Sequence, residues 1–141
     1  MRRLLIVDDD VAIRAALKEL LDLAFAASIG SGELLIDTAA DGEEAVELAT
    51  DHPPDLMIMD VHMPPGIDGI EAFHRLRDRR NGQPVRTLFL TGYGSAGNVS
   101  ERLADAIQLG AIGYLLKPVP LDDLRRRVEQ ALGLGTGTSS G

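Results

Sequence analysis

Leu4-Leu5-Ile6-Val7-Asp8-Asp9-Asp10 sets four apolar residues directly against three acids, and Leu56-Met57-Ile58-Met59-Asp60 repeats the arrangement with one acid. Unbroken apolarity over four residues suits a strand covered on both faces, because a half-exposed strand alternates apolar and polar side chains. Leu34-Leu35-Ile36, Val85 to Leu90 and Gly113-Tyr114-Leu115-Leu116 extend the series to five candidate strands.

Helical patterns lie between and after these runs. Asp10 can cap a helix whose apolar residues Ile13, Leu17, Leu20, Leu21 and Ala24 share one face. Asp41 followed by Glu44 reads as a capping box opening a helix through about Ala49. Ile70, Phe73 and Leu76 line a third helix, which ends near Arg80 before the turn Asn81-Gly82. Val99, Leu103, Ala106 and Ile107 mark a fourth, and Leu121, Leu124, Val128 and Leu132 a fifth, started by Pro120. Strand then helix, five times, implies a parallel sheet joined by right-handed crossovers: an α/β, doubly wound fold with helices on both faces.

Composition agrees with a single domain. The chain has 141 residues, 45% hydrophobic and 26% charged, enough for one core without covalent staples. It has no cysteine, which excludes disulfides, thiolate metal sites and a cysteine nucleophile. The apolar runs are far shorter than the roughly 20 residues of a membrane span. Met1-Arg2-Arg3 is followed by too short a run to be a signal peptide, so a cytoplasmic protein is expected. A formal charge of −8 and 4% aromatics argue against direct nucleic-acid binding. Residues 1–132 read as the domain, and 133–141 (GLGTGTSSG) as a flexible tail or linker.

In such sheets ligands bind outside the carboxyl ends of the strands. Asp8, Asp9 and Asp10 follow the first strand, Asp60 the third, Thr91 the fourth and Lys117-Pro118 the fifth. Asp37 and Thr38 end the second strand, farther from the middle of the sheet. Two like charges about 4 Å apart repel by about 4 kcal/mol at an effective dielectric of 20, so the acids call for a proton or a cation. Mg²⁺, a hard ion that takes oxygen ligands, suits them, with Mn²⁺ as the alternative. A carboxylate can then attack a phosphoryl group, with Lys117 and Thr91 contacting the product. Taken singly, Asp10 is a helix cap, Asp8 and Asp9 are loop acids, Thr91 a turn residue and Lys117 a solvated lysine. Their joint placement at four strand ends favours a metal and phosphate site.

The ordered set Leu5-Ile6-Val7-Asp8-Asp9-Asp10, Asp55 to Pro64 (DLMIMDVHMP), Asp68-Gly69, Leu90-Thr91-Gly92, Gly110-Ala111 and Gly113 to Pro118 (GYLLKP) resembles the response-regulator receiver domain of two-component phosphorelay signalling. The resemblance covers residues 2 to about 132 and implies a flavodoxin-like sheet in the order 2-1-3-4-5. It implies that Asp60 accepts a phosphoryl group from a sensor histidine kinase or a phosphotransfer protein. Asp8, Asp9, Asp60 and the backbone carbonyl of His62 would bind the metal, Asp8 through a water. Lys117 and Thr91 would contact the phosphoryl group, and the Lys117-Pro118 bond would be cis. Thr91 and Tyr114 would form a switch, the ring moving inward after phosphorylation, and His62 and Tyr93 would tune the decay of the acyl phosphate toward a longer-lived state. The face of the fourth helix, fifth strand and fifth helix would then engage a downstream protein or an output domain. A homodimer could form through that face, with Arg125, Arg126 and Arg127 opposite Glu101 or Asp105. The resemblance is to a signalling phosphoacceptor, not an enzyme beyond self-phosphotransfer and slow autodephosphorylation.

The sequence departs from that pattern in three places. The loop Met63-Pro64-Pro65-Gly66-Ile67-Asp68-Gly69 is one residue longer than the family's usual spacing, and Thr91 to Gly97 carries three glycines, which predicts mobility before the fourth helix. Ser28 to Gly32 lengthens the first crossover and reads as a surface excursion. Two rival readings stand beside the receiver. One is a receiver-like interaction module that is never phosphorylated. The other is an aspartate-nucleophile phosphatase of the haloacid-dehalogenase type. The phosphatase would use Asp8, but Ala12 stands where its motif needs threonine or valine, and no acidic pair follows a later strand.

Overall fold

The computed structural model describes residues 1–92 and 99–135. Its strands are β1 (Arg2–Val7), β2 (Leu34–Ala39), β3 (Leu56–Asp60), β4 (Thr87–Thr91) and β5 (Gly113–Leu116). They form one parallel sheet in the order β2-β1-β3-β4-β5, as the resemblance implies. The helices are α1 (Val11–Ala24), α2 (Ala26–Gly30), α3 (Gly42–Asp51), α4 (Gly69–Arg79), α5 (Val99–Gln108) and α6 (Leu121–Leu132).

Strand periodicity divides the core in two. Leu4, Ile6, Leu56, Ile58, Leu88 and Leu90 face α1 and α6, meeting Leu17, Leu21, Leu124 and Val128. Leu5, Val7, Met57, Met59 and Phe89 face α3, α4 and α5, where Val46, Phe73 and Leu103 cover them. Every residue of β3 and β4 is buried, which explains why their sequences read as unbroken apolar runs. Each fully buried large apolar side chain contributes about 1.5–3 kcal/mol relative to exposure.

The two expected caps are present: Asp10 accepts from the N–H groups of Ala12 and Ile13, and Asp41 from that of Glu44. Asp68, not foreseen as a cap, accepts from the Glu71 N–H. Glu44 reaches back to the Ala40 N–H, one residue beyond the cap itself. Pro120 is the residue that caps α6 rather than the first one inside it.

Two elements differ from the sequence reading. The crossover after α1 is not a loose excursion: Ala26–Gly30 is a second helix. Phe25, only 1% exposed, is buried at the junction, and burying its ring turns the chain while the Ile29 N–H donates to the Phe25 carbonyl. β4 begins at Thr87 rather than Val85, because the Val85 carbonyl is taken by the Thr87 hydroxyl and does not join the ladder. Tyr93, and the Gly94 and Gly97 of the glycine-rich stretch, lie outside the described residues, as do residues 136–141 of the tail.

Candidate functional site

Pairing of β1 with β3 sets Val7 opposite Met59, so Asp8 and Asp60 emerge side by side at the carboxyl rim. Pairing of β4 with β5 sets Thr91 opposite Leu116, which delivers Lys117 to the same rim. Oxygens of Asp8, Asp9 and Asp60 all lie within 4.8 Å of one another. Asp8 is fully buried, Asp60 is 5% exposed and Asp9 is open to solvent. Lys117 bridges the two buried acids: its Nζ is 3.2 Å from Asp8 Oδ2 and 3.1 Å from Asp60 Oδ2.

Asp8 is held from several sides. Its Oδ1 accepts the Asp10 N–H at 2.9 Å, and the Arg14 guanidinium donates to its carbonyl at 2.7 Å. Asp60 has weaker support, its Oδ1 lying 3.4 Å from the His62 N–H. Burial pushes the Asp60 carboxyl above the usual carboxylate range; the Lys117 ammonium works against the rise and the Asp8 charge adds to it. For Lys117, burial acts downward, but hydrogen bonds and charge from Asp60 and Asp8 together outweigh it and leave the ammonium raised.

The donor set fits a hard divalent ion. Three carboxylates with one exposed member leave an open side for water and phosphate oxygens, and Mg²⁺ takes oxygens at about 2.0–2.1 Å. Thr91 is buried at the end of β4, and its carbonyl accepts the Lys117 N–H at 2.8 Å. Tyr114 lies 45% exposed on β5, and His62 is exposed beside Asp60. Asp10 is a helix cap and stands apart from the acidic cluster. The Lys117-Pro118 bond is cis, as the resemblance implies, and Pro64-Pro65 is cis as well.

A sequence profile described as the response regulator receiver domain matches residues 4–129. The chain belongs to that family. The receiver is 40% identical over 131 residues to the transcriptional regulatory protein PdtaR of Mycobacterium tuberculosis, covering 93% of this chain and 57% of that one. It is 30% identical over 128 residues to the nitrate/nitrite response regulator protein NarL of Escherichia coli, covering 91% and 53%. This receiver therefore spans little more than half the length of these curated relatives. Among solved structures it is similar to a two-component transcriptional regulator from Clostridium phytofermentans, with a TM-score of 0.71, 30% identity and 94% of each chain covered. A receiver domain protein of Methanospirillum hungatei gives a TM-score of 0.71 at 27% identity, again over 94% of each chain. No helix among the described residues is long and apolar enough to cross a membrane.

The loop Met63 to Gly69 that follows Asp60 is firmly held. Met63 is 1% exposed in the core, and the Gly69 N–H donates to the Val61 carbonyl at 2.8 Å, closing the loop. The Ile67 N–H points to Glu43 Oε2 at 3.3 Å, and Arg102 from α5 grips Asp68. The sequence reading did not single out Arg14, Glu43 or Arg102 for these roles. Of the basic run on α6, Arg125 pairs with Glu129 and Asp122 and Arg126 with Asp123, all within the helix.

Asp68 links the receiver to pH. Burial acts to raise its carboxyl, but hydrogen bonds from Arg102 and from the N–H groups of Glu71 and Ile70, with the Arg102 charge, outweigh that and hold it below the usual range. A folded value below the unfolded one, about 3.9, stabilises the protein fully at neutral pH, and the contribution is lost as pH falls through the folded value. Asp68→Asn is therefore expected to be less stable than wild type at pH 7, with the gap closing below about pH 4. Urea unfolding at pH 7 and pH 3 reads the difference.

Proposed function

We propose that this receiver accepts a phosphoryl group on Asp60 from a phosphohistidine of a sensor kinase or phosphotransfer protein, with Mg²⁺ on Asp8, Asp9 and Asp60 and the carbonyl of His62. The observation that carries the reading is the Lys117 ammonium lying against both Asp60 and Asp8 at the rim where the acids converge. A carboxylate oxygen of Asp60 attacks phosphorus, the phosphorus–nitrogen bond breaks, and the leaving imidazole keeps the electron pair and takes up a proton. Mg²⁺, when bound, neutralises charge on the acids and the incoming group. Lys117 then transfers its contact from Asp60 to a phosphoryl oxygen, and the Thr91 hydroxyl donates to another. Tyr114, exposed in this structure, turns inward, and the face of α5, β5 and α6 changes what it offers a downstream protein, an output domain or a second copy. His62 and Tyr93, each two residues along the chain from Asp60 and Thr91, are assigned the tuning of acyl-phosphate hydrolysis toward a longer-lived state.

Intact-mass measurement after incubation with Mg²⁺ and a small acyl phosphate tests this. Wild type should gain one phosphoryl group and Asp60→Asn none. A phosphorylated variant would move the nucleophile elsewhere, Asp8 first. No adduct on wild type would leave the interaction module.

A donor must land on this rim, and an apolar hollow of about 500 Å³ opens beside Lys117, lined by Ile13, Leu17, Leu20, Leu23 and Val119 among others. Leu23 is 72% exposed there, unusually bare for leucine. Leu23→Glu should slow transfer from a phosphohistidine protein at least tenfold and leave uptake from the small acyl phosphate unchanged. Equal slowing of both would place the donor surface elsewhere.

A further inference from the structure

α5 sits shallowly. Of its residues Leu103 and Ala106 are buried, whereas α4 buries Gly69, Ile70, Ala72, Phe73 and Leu76. A helix held by one buried leucine and one buried alanine, with Val99 half-buried against the same core, has a position that other contacts can bias. One such contact comes from Arg102, near its start. Nη1 lies 2.7 Å from Asp68 Oδ2 and Nη2 2.9 Å from Asp68 Oδ1, a two-pronged contact between groups about one-third exposed. Planar, doubly bonded pairs of this kind fix direction as well as distance.

Asp68 is also the cap of α4, its Oδ1 accepting the Glu71 N–H at 2.8 Å, and it immediately precedes Gly69, which closes the loop leading from Asp60. One carboxylate thus ends the acceptor loop, starts α4 and holds α5. A shift of that loop moves both oxygens, and α5 must follow or lose the fork.

We propose that the Asp68–Arg102 fork passes a change in the Asp60 loop to α5, with Arg102 as a positioning residue for the face that α5 borders. The proposal rests on the phosphoacceptor reading. It differs from simple support because it requires α5 to respond to events at Asp60 through this pair.

Hydrogen–deuterium exchange of the full chain, with and without Mg²⁺ and a small acyl phosphate, tests it in wild type, Arg102→Met and Asp68→Asn. Methionine keeps most of the apolar stem, and asparagine keeps the capping oxygen. In wild type the exchange of residues 99–108 should change at least threefold on phosphoryl uptake. In both variants that segment should exchange at least threefold faster beforehand and lose most of its response. Intact mass should still record one phosphoryl group on each, and α4 should exchange as in wild type. A full α5 response in the variants overturns the proposal, as does an unresponsive α5 in phosphorylated wild type. Exchange raised by the same factor in α5 and in the rest of the chain also overturns it, marking the pair as general support. If wild type takes up no phosphoryl group, the phosphoacceptor reading fails separately, and unchanged α5 exchange in metal-free Arg102→Met then overturns the link on its own.

Discussion

Gly69→Ala should unfold roughly 5 °C below wild type. A Cβ at this position would lie 2.3 Å from the Asp60 carbonyl oxygen and 3.1 Å from both the Asp60 carbonyl carbon and Met59 Cγ. Two effects compete. Alanine is the better helix former by about 1 kcal/mol, which favours the variant at this first position of α4. The overlap is with strand backbone, which yields only if β3 or α4 moves, and such overpacking costs about 1–3 kcal/mol or more. The clash wins, and the part that moves carries Asp60. Gly66→Ala is the control: its Cβ would meet Glu43 Oε1 at 2.4 Å, the far end of a flexible side chain that can swing away at the loss of one long, exposed hydrogen bond from the Ile67 N–H. It should shift the midpoint by less than a quarter as much, and thermal melts of the two variants decide the matter. Equal shifts would mean that the loop, not the Gly69 contact with β3, sets the tolerance.

Removal of Asp9 should abolish most of the stabilisation by Mg²⁺ while leaving the metal-free protein nearly unchanged. Asp9 is exposed, so Asp9→Ala leaves no buried group unpaired, and exposed substitutions generally stay within about 0.5 kcal/mol. The same carboxylate is one of three oxygen donors within 4.8 Å, and losing it should weaken Mg²⁺ by about 100-fold, given that even outer-sphere partners are worth 10–100-fold. That change is about 2.7 kcal/mol, readable as a lost rise in melting temperature on adding Mg²⁺. Lys117→Met should act in the opposite sense on metal affinity. The Lys117 ammonium already neutralises Asp8 and Asp60, so without it the acids hold a cation more tightly. Phosphoryl uptake should fall all the same, because the product loses its counter-charge. Tighter Mg²⁺ binding in Asp9→Ala, or weaker binding in Lys117→Met, would remove these residues from the roles assigned.

The sheet was legible because both its faces are covered: Leu56 to Met59 and Leu88 to Leu90 could be apolar throughout only in that setting. The acidic cluster was legible for a related reason. Parallel strands release their ends at one rim, so residues far apart in sequence but each just past a strand are brought together. Contacts that depend on helix rotation were not. Arg102 reads as one more charged residue on an amphipathic helix, and nothing in the sequence ties it to an aspartate 34 positions earlier. Nothing in the sequence marked Phe25 as a buried hinge, which hid α2. Gly69 was noticed as part of a motif, but its closeness to Asp60 is a matter of how α4 meets β3.

The two sides of the sheet differ in mechanical character. Met57, Met59 and Met63 are all at most 1% exposed and lie among branched and aromatic side chains on the side under α3, α4 and α5, while the buried cluster under α1 and α6 contains no methionine among the described residues. Thioether chains are unbranched and refill space as neighbours shift, whereas branched chains keep a few fixed shapes. The methionine layer thus has more give than the other. A shift of α4 or α5 is easier to accommodate on that side than a shift of α1, which starts beside Asp8 and Asp9 on the side without methionine.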